Sequence, residues 1–390
     1  MDHSTVLDKD VIYDELFEIW AKRIKTKHYT IEAFEFERNA GAEMLKQARK
    51  LADLTWEPSG FRKFRIHQPE REINAPLYPD RISEAWITEK YIKEYVSPKV
   101  LYTNMACQSG KGMKAAMHLL KNALADCFRK WGFDFYFFQY DMQGYYNNLS
   151  HDKIKEQYSG LPASGYKLLC NIVDSWECKD EYAALEDPFH KYGVPKGNLP
   201  SQWIGVLYLN ELDHLINEME ECQFFVRYMD DAIMLFHTKR DCRKAYRFIE
   251  DYLSQNHMGI RMHPQKSNYA PITRGFNFCG WHYEMKESGK ILMHIRQSKK
   301  KQMIGKLKYI SGRYERGEIA WIEACDVLRG MCNYLKWGDT YHLRKYLCNR
   351  FHFQRKTDFE MNLEEPVYDY TGITDFDLIS PDEYISLMDL

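Results

Sequence analysis

Three carboxylates that follow strand-forming runs constrain the fold of this chain more than any other feature. Residues 133–141 read Phe-Asp-Phe-Tyr-Phe-Phe-Gln-Tyr-Asp, an aromatic run that favours a β-strand and ends in Asp141. Residues 224–237 are rich in strand formers on both sides of Asp230 and Asp231, which predicts a β-hairpin with both acids at its tip. Charged groups are rarely buried without a partner, so acids at the ends of apolar strands need an explanation.

The residues alone leave two explanations open. Adjacent aspartates are common in polar turns, and Asp230-Asp231 fits such a turn. Alternatively, Asp141 joins the pair to hold two oxygen-preferring divalent cations about 4 Å apart, which would bridge the carboxylates and the phosphates of a substrate. Cations placed in this way lower the pKa of an attacking hydroxyl and stabilise the leaving oxygen.

The order of the predicted elements favours an α+β fold with an antiparallel sheet over a doubly wound parallel sheet. Hydrophobic periodicity and the positions of glycine and proline set these elements. In chain order they are helices over 11–56, a hairpin over 61–75, helices over 81–95 and 112–130, a strand over 133–141, helices over 151–176 and 201–219, a hairpin over 224–237, a helix over 241–255, a hairpin over 276–295 and helices over 298–353.

Composition excludes several classes of protein. A chain of 390 residues, 45% of them hydrophobic, is long enough for two or three structural units and too apolar to be wholly disordered. No apolar run approaches the roughly 18 residues of a membrane span, and the polar residues 1–10 do not form a secretory signal. The ten cysteines contain no CxxC pair, so we expect reduced thiols in a cytoplasmic protein.

Charge is distributed unevenly along the chain. Residues 357–390 contain ten acidic residues and no Lys or Arg, and the remainder has 54 basic against 46 acidic residues. A mildly basic body with an acidic tail is typical of a protein that binds a polyanion and carries a separate C-terminal appendage. A solvated terminus is the alternative for the tail.

Four segments, in the expected order, resemble motifs of reverse transcriptases. Residues 225–231, Phe-Val-Arg-Tyr-Met-Asp-Asp, contain the Tyr-Met-Asp-Asp signature of that family. Residues 138–146, Phe-Gln-Tyr-Asp-Met-Gln-Gly-Tyr-Tyr, resemble the first catalytic motif, and residues 147–151, Asn-Asn-Leu-Ser-His, match its bacterial form. Residues 193–202, Gly-Val-Pro-Lys-Gly-Asn-Leu-Pro-Ser-Gln, resemble the motif that positions template and nucleotide.

The resemblance covers roughly residues 14–354 and implies an α+β right-hand polymerase with fingers, a palm built on an antiparallel sheet, and a helical thumb. The implied activity is RNA-directed DNA synthesis from dNTPs with two Mg²⁺ ions, with Mn²⁺ as the alternative ion. The expected domains are N-terminal helices and fingers over 1–130, a palm with finger insertions over 131–297, a thumb over 298–356 and an acidic tail over 357–390.

The family motifs imply roles for individual residues. Asp141, Asp230 and Asp231 would bind the metal ions and act in catalysis. Lys266, in a segment that resembles the fourth palm motif, would protonate the leaving pyrophosphate or stabilise its charge. Tyr146, five residues after Asp141, would pack beneath the sugar and exclude a 2′-hydroxyl. The nucleotide-binding residues implied by the resemblance are Arg71, Tyr146, Lys196, Gly197 and Gln202.

Further residues are implied to contact nucleic acid. Residues 278–281, Phe-Cys-Gly-Trp, resemble the turn that grips the primer end, where glycine permits close approach of the backbone. The cations after the palm fall on the first helix of the predicted thumb, where they would follow the phosphates of an A-form-like hybrid. A solvated basic face is the alternative for these cations. The predicted set is Lys63, Arg65, Gly280, Lys299, Lys300, Lys301, Lys306 and Lys308.

The end of the 193–202 motif indicates a subgroup. Most reverse transcriptases end this motif in Ser-Pro, whereas this chain has Ser201-Gln202, which is similar to the enzymes of diversity-generating retroelements. Residues 102–112, in which Ala106-Cys107 precedes Gly110-Lys111-Gly112, resemble the same group. Those enzymes copy a template RNA with adenine-directed errors and act with a small helical accessory protein. Lys196 departs from that group, which has an aliphatic residue at this position. A bacterial antiphage-defence reverse transcriptase, which works with a noncoding RNA and often forms oligomers, is therefore the alternative.

Two other classes conflict with particular residues. An RNA-dependent RNA polymerase must accept a 2′-hydroxyl, against which Tyr146 argues. A non-catalytic RNA-binding scaffold is not expected to keep three clustered acids, because unpaired carboxylates that lie together are unfavourable. We expect a bacterial cytoplasmic enzyme whose partners are template or noncoding RNA, DNA product, dNTPs and either an accessory protein or a second copy. Its primer would be a hydroxyl of RNA or of protein.

Overall fold

The structure is a computed structural model that describes residues 7–27, 31–67 and 70–354, with only the backbone described at 24–27, 67, 70 and 71. The predicted acidic tail lies outside the described residues. The chain divides into two compact units, Met1–Arg274 and Gly275–Leu390. The predicted limits of fingers, palm and thumb stay predictions.

The first unit combines helices with two antiparallel sheets. Its strands are β1 (Phe61–His67), β2 (Glu70–Pro76), β3 (Tyr136–Asp141), β4 (Cys222–Tyr228), β5 (Asp231–Phe236) and β6 (Asn268–Pro271). Its helices are α1 (Lys9–Lys27), α2 (Ile31–Arg38), α3 (Ala40–Ala52), α4 (Tyr78–Ile87), α5 (Lys93–Val96), α6 (Met113–Trp131), α7 (His151–Gln157), α8 (Ala163–Asp174), α9 (Tyr182–Glu186), α10 (Leu199–Tyr208), α11 (Asn210–Asn217) and α12 (Lys239–Gln255). A π-helical turn, Thr88–Ile92, joins α4 to α5.

The larger sheet has the strand order β4-β5-β3-β6, and each neighbouring pair is antiparallel. Helix α12 packs on β3, β5 and β6, while α6 and α11 pack on β4. Ile233, Met234 and Leu235 of β5 are fully buried, as is Phe138 of β3. A buried side chain of this size contributes roughly 1.5–3 kcal/mol, so this sheet is a rigid base for whatever its strand ends carry.

The second unit contains a three-stranded antiparallel sheet followed by helices. The strands are β7 (Phe276–Phe278), β8 (Trp281–Met285) and β9 (Ile291–Ile295), in the order β7-β8-β9. The helices are α13 (Gln297–Glu315), α14 (Trp321–Leu335) and α15 (Tyr341–Arg350). Met303, Leu307 and Ile310 form the buried stripe of α13, at the spacing of an amphipathic helix.

The predicted α+β class with antiparallel sheets is confirmed. Two predicted elements differ from the structure, because glycine, proline or a tight turn divides each of them. The expected helix over 151–176 is two helices, because Gly160 and Pro162 interrupt it between α7 and α8. The predicted hairpin over 276–295 is three strands, because a tight turn at Cys279 and Gly280 divides its first half.

Two expectations drawn from composition can be compared with the structure. All ten cysteines lie in the described part of the chain, and each is a free thiol. None of the described helices combines the length and the apolar character that crossing a bilayer requires.

Candidate active site

The three predicted acids lie at one end of the larger sheet. Asp141 closes β3 and is the register partner of Asp231, the first residue of β5. Asp231 also faces Tyr228 at the end of β4, so residues 229 and 230 form the turn of the β4–β5 hairpin. Directly opposed residues of an antiparallel pair have Cβ atoms about 5 Å apart. The fold therefore places residues 141 and 231 side by side, with residue 230 next to them.

The β4–β5 turn has an unusual backbone. Met229 has a φ of 56°, in the left-handed region, and Asp230 is not among the described residues with positive φ. Positive φ at only the first central residue is the pattern of a type II′ turn, a position that favours glycine. A non-glycine residue held there costs about 1–3 kcal/mol and persists only where the surroundings impose it.

Lys266 reaches the carboxylate of Asp141. Its Nζ lies 3.0 Å from Oδ1 and 3.1 Å from Oδ2. The strand end is fixed by the neighbouring residues: the backbone N–H of His263 donates to the Asp141 carbonyl at 2.7 Å, and the Ser267 hydroxyl lies 3.3 Å from both the N and the O of Asp141. Lys266 and Asp141 are thus neighbours, although 125 residues separate them in sequence.

The chemistry of these donors fits a hard divalent cation, since all three are carboxylates at one end of one sheet. Among the described residues, no group of three or more His, Cys, Asp and Glu side chains is arranged to hold a metal ion. The Asp141 carboxylate is directed at the Lys266 ammonium instead. Residues 141, 230 and 231 would hold Mg²⁺ after a change of side-chain direction that this partly exposed, weak ion pair permits.

Tyr146 lies beside the hairpin turn. It belongs to the 3₁₀ turn Tyr145–Asn147, is buried, and its hydroxyl lies 3.5 Å from the Met229 sulfur. Burial raises the pKa of its phenol well above the usual value, so the hydroxyl stays protonated. Gly205 of α10 permits this packing, because a Cβ there would lie 3.2 Å from the Tyr146 hydroxyl.

Gln202 lies on α10 and contacts a cysteine that the sequence analysis did not assign. The Cys107 sulfur lies 3.7 Å from Gln202 Oε1. Burial raises the pKa of Cys107 to about 12, so the thiol is protonated and can donate to this oxygen. The contact orients the Gln202 amide.

Lys196 and Gly197 lie against the hairpin β1–β2. The Lys196 carbonyl accepts from the backbone N–H of Asn74 at 2.8 Å. Gly197 has a φ of 109°, and a Cβ there would lie 2.7 Å from Cγ2 of Ile73. Only glycine fits such a site, so residue 197 sets the approach of this loop to β2. Arg71 pairs with Ile66 in the hairpin, and its side chain lies outside the described residues.

Lys63 and Arg65 are both exposed on β1. Lys63 Nζ lies 5.3 Å from the centre of the Trp176 ring, whose edge also contacts Phe61 at 5.2 Å between centroids. The cation and the two aromatic rings form one surface. The sequence analysis did not single out Trp176. Its contacts with Lys63 and Phe61 arise only in the folded chain, because those residues lie more than 100 positions earlier in the sequence.

The remaining predicted residues belong to the second unit. Gly280 has a φ of 79° in the β7–β8 turn. On α13, Lys299 Nζ lies 3.1 Å from the Tyr334 hydroxyl and 4.5 Å from its ring centre. Lys301 and Lys308 are exposed and two helical turns apart, whereas Lys300 and Lys306 are half-buried. The five lysines therefore do not share one exposed face, and their predicted contacts with nucleic acid stay predictions.

A buried ion pair behind the hairpin was also missed. Arg227 of β4 and Asp213 of α11 are both fully buried and lie 2.6 Å apart. The sequence did carry a signal, because Arg227 is the one charged residue of the strand Cys222–Tyr228. A charge inside an apolar strand requires a partner.

Comparison with known proteins gave both solved structures and a family. The apo telomerase of Candida tropicalis is similar over 61% of this chain and 49% of its own, with a TM-score of 0.43 and 13% identity. The telomerase of Candida albicans in complex with a fragment of telomeric RNA is similar over 72% of this chain and 53% of its own, with a TM-score of 0.46 and 10% identity. The chain spans about half the length of these structures. No curated protein matched.

A family described as "Reverse transcriptase (RNA-dependent DNA polymerase)" matches residues 83–283, just over half of the chain. That range contains all four strands of the larger sheet and the three acids. Its helices and antiparallel sheet form the palm-type fold of a right-hand polymerase, as predicted. The chain belongs to the reverse transcriptase family.

Proposed function

We propose that this protein is an RNA-directed DNA polymerase that copies a dedicated template or noncoding RNA into cDNA. The observation that carries the proposal is the pairing of Asp141 with Asp231 at the end of β3 and β5, with Asp230 in the adjoining turn. Family membership supports the same activity. Mg²⁺ bound by these carboxylates would activate the primer hydroxyl and neutralise the triphosphate.

Other residues of the chain select the sugar, stabilise the leaving group and bind the triphosphate, the template and the duplex. Tyr146 excludes the 2′-hydroxyl of a ribonucleotide by occupying the space beneath the sugar. Lys266 stabilises the leaving pyrophosphate or donates a proton to it. Arg71 binds the triphosphate through its guanidinium. Residues 193–202 position template and nucleotide, and the cations of the second unit hold the duplex.

We assign the enzyme to a diversity-generating retroelement, in a bacterial cytoplasm. Gln202 in place of the usual proline supports this, and its contact with Cys107 connects two segments that both resemble that group. The product would then carry substitutions at template adenines, and a helical accessory protein would act with the enzyme.

A second candidate is an antiphage-defence reverse transcriptase that works with a noncoding RNA. Lys196 favours it, because retroelement enzymes have an aliphatic residue at this position. The carbonyl of Lys196 is anchored on β2, so its side chain starts from a fixed point beside the predicted nucleotide site. Such an enzyme would act as an oligomer and give a repetitive or untemplated product.

Primer extension on RNA tests the activity. Purified wild type is expected to extend a DNA primer with dNTPs and Mg²⁺, and to use ribonucleotides poorly. Asp230→Asn should abolish extension while RNA affinity is retained, and Asp251→Asn, an exposed acid on α12, should behave as wild type. Efficient ribonucleotide incorporation would refute DNA synthesis as the function, and unchanged extension by Asp230→Asn would refute the metal assignment.

Sequencing decides between the two biological roles. The nucleic acid that copurifies with the protein and the DNA made from it should be sequenced together. Substitutions confined to template adenines would support the retroelement, whereas repeated or untemplated DNA would support defence.

A further inference from the structure

The β4–β5 turn is held from its buried side by one guanidinium. Arg227 is fully buried, and its Nη1 donates to the Met229 carbonyl at 2.7 Å. Its Nη2 donates to the Val206 carbonyl of α10 at 2.8 Å. On the other side of the turn, the backbone N–H of Met142 donates to the Asp230 carbonyl at 3.2 Å. Both peptide groups of the turn therefore have their carbonyls fixed.

The guanidinium is itself fixed by a carboxylate from another element. Asp213 of α11 is fully buried and accepts from Arg227 Nε at 2.7 Å and from Nη2 at 2.6 Å. Asn104 Nδ2 lies 3.4 Å from the same carboxylate. The backbone of Arg227 is fixed as well. Its N–H donates to the Thr103 carbonyl, and its carbonyl accepts from the N–H of Met105. Such planar, two-point pairing restricts the guanidinium to one orientation.

The turn needs this support because of its conformation. Met229 occupies the left-handed region at a position where glycine is favoured. Without the hydrogen bond to its carbonyl, the peptide between Met229 and Asp230 would be free to rotate toward a relaxed geometry. Rotation of that peptide would move the backbone that carries both acids of the hairpin.

We propose that Arg227, held by Asp213, is a positioning residue that fixes the Met229–Asp230 peptide and thereby the direction of the hairpin acids. The inference rests on the proposed function, because it assigns the pair a role in the rate of nucleotide addition. Both side chains are fully buried, so neither is placed to touch substrate. The effect should therefore appear in kcat, with little change in the KM for dNTP or in primer–template affinity.

The competing explanation is that the pair only fills space in the core. Buried ion pairs can often be replaced by well-packed apolar residues without loss of stability, whereas removal of one partner leaves an unpaired charge. A double apolar replacement therefore separates the two explanations. It restores packing but supplies no donor to the Met229 carbonyl.

The decisive variant is Asp213→Leu/Arg227→Met, with Arg227→Met alone for comparison. If the pair positions the turn, the double variant should recover the Tm lost by the single variant, yet its kcat should stay about 100-fold below wild type, as expected for a small misplacement of catalytic groups. Recovery of both Tm and kcat would overturn the proposal. The exposed pair Glu221 and Lys244 lies at 2.8 Å and gives the control Glu221→Gln/Lys244→Met, which should match wild type.

Arg227→Lys decides the matter if the double variant does not fold. Lysine keeps a positive charge beside Asp213, but its single ammonium cannot reach the Asp213 carboxylate and the carbonyls of Met229 and Val206 at the same time. A folded Arg227→Lys protein with lowered kcat and unchanged KM supports the proposal, and wild-type kcat contradicts it. Equal losses in kcat and primer–template affinity would also contradict it. Absence of synthesis by the wild type would instead refute the proposed function.

Discussion

Two tight hairpin turns, one in each unit, both begin with a residue of positive φ but differ in turn type and in the charge beside them. The β4–β5 turn has Met229 at a φ of 56°, and the β7–β8 turn has Cys279 at 48° and Gly280 at 79°. Positive φ at both central residues is the pattern of a type I′ turn, which glycine suits at the second position. The first turn instead holds a methionine in a strained conformation, and it needs Arg227 behind it.

The charged side chains found at or beside the two turns have opposite signs. The first turn carries Asp230 and continues into Asp231, so it presents carboxylates. At the second turn, a Cβ on Gly280 would lie 3.4 Å from the Lys299 ammonium and 3.3 Å from the Tyr334 hydroxyl. A turn that presents acids suits a cation, whereas a bare glycine beside an ammonium suits a phosphate chain. We therefore propose that the first turn takes part in chemistry and that the second binds nucleic acid.

Neutralising the first turn should give the largest effect. Asp231→Asn is expected to lower the rate of nucleotide addition about 1000-fold, because loss of a metal-binding charge removes several kcal/mol of transition-state stabilisation. Single-turnover primer extension measures the rate, and filter binding should give an unchanged primer–template affinity. A rate within tenfold of wild type would contradict the assignment of chemistry to this turn.

The sequence carried enough information for the acids but not for their support. Asp141, Asp230 and Asp231 follow short, strongly apolar strands, so their positions at strand ends were predictable from local pattern. Asp213 lies on an amphipathic helix and resembles any solvated acid in sequence, since its partner Arg227 belongs to a different element. Pairings of this kind depend on tertiary packing, which local periodicity does not encode.

The unit that carries the first turn should also respond to pH. Glu84 of α4 is 1% exposed, and Asn198, at the start of α10, donates to it at 3.2 Å. Burial raises the pKa of Glu84 from 4.5 to about 8, although the hydrogen bond from Asn198 lowers it, and the nearby charge of Asp80 raises it further. The folded state therefore keeps a proton that the unfolded chain releases.

The sign of the effect follows from linkage. The stabilisation is fully present below pH 4.5 and is lost as pH rises through about 8. We expect the free energy of unfolding of wild type to fall by a few kcal/mol between pH 5 and pH 8 relative to that of Glu84→Gln. Limited proteolysis across a urea series at each pH measures the unfolding of the first unit. Fragments from residues 275–354, which lack Glu84, give the internal control. If the free energy of unfolding depended on pH in the same way for wild type and Glu84→Gln, the raised pKa of Glu84 would be refuted.

The second turn should be sensitive to an added methyl group. Gly280→Ala combines a left-handed φ with a Cβ close to Tyr334 and Lys299, so the free energy of unfolding should fall by about 1–2 kcal/mol. Gly305→Ala on α13 meets no neighbour within 4 Å and should raise it by about 0.5–1 kcal/mol through helix propensity. Thermal unfolding measures both, and a stability of Gly280→Ala equal to or above that of wild type would show that glycine is not required in the turn.

The smallest effect concerns a cation on α13, the helix that also brings Lys299 to the second turn. Lys301 is exposed on α13, and its predicted contact with a phosphate should release one counterion on binding. Lys301→Met should therefore reduce the slope of log Kd against log salt for primer–template by about 1, while Lys345→Met, an exposed lysine on α15, should leave the slope unchanged. A solvated lysine that contacts no phosphate would not change this slope. Equal slopes for all three proteins would therefore contradict the predicted contact between Lys301 and nucleic acid, and would leave α13 without evidence of a binding role.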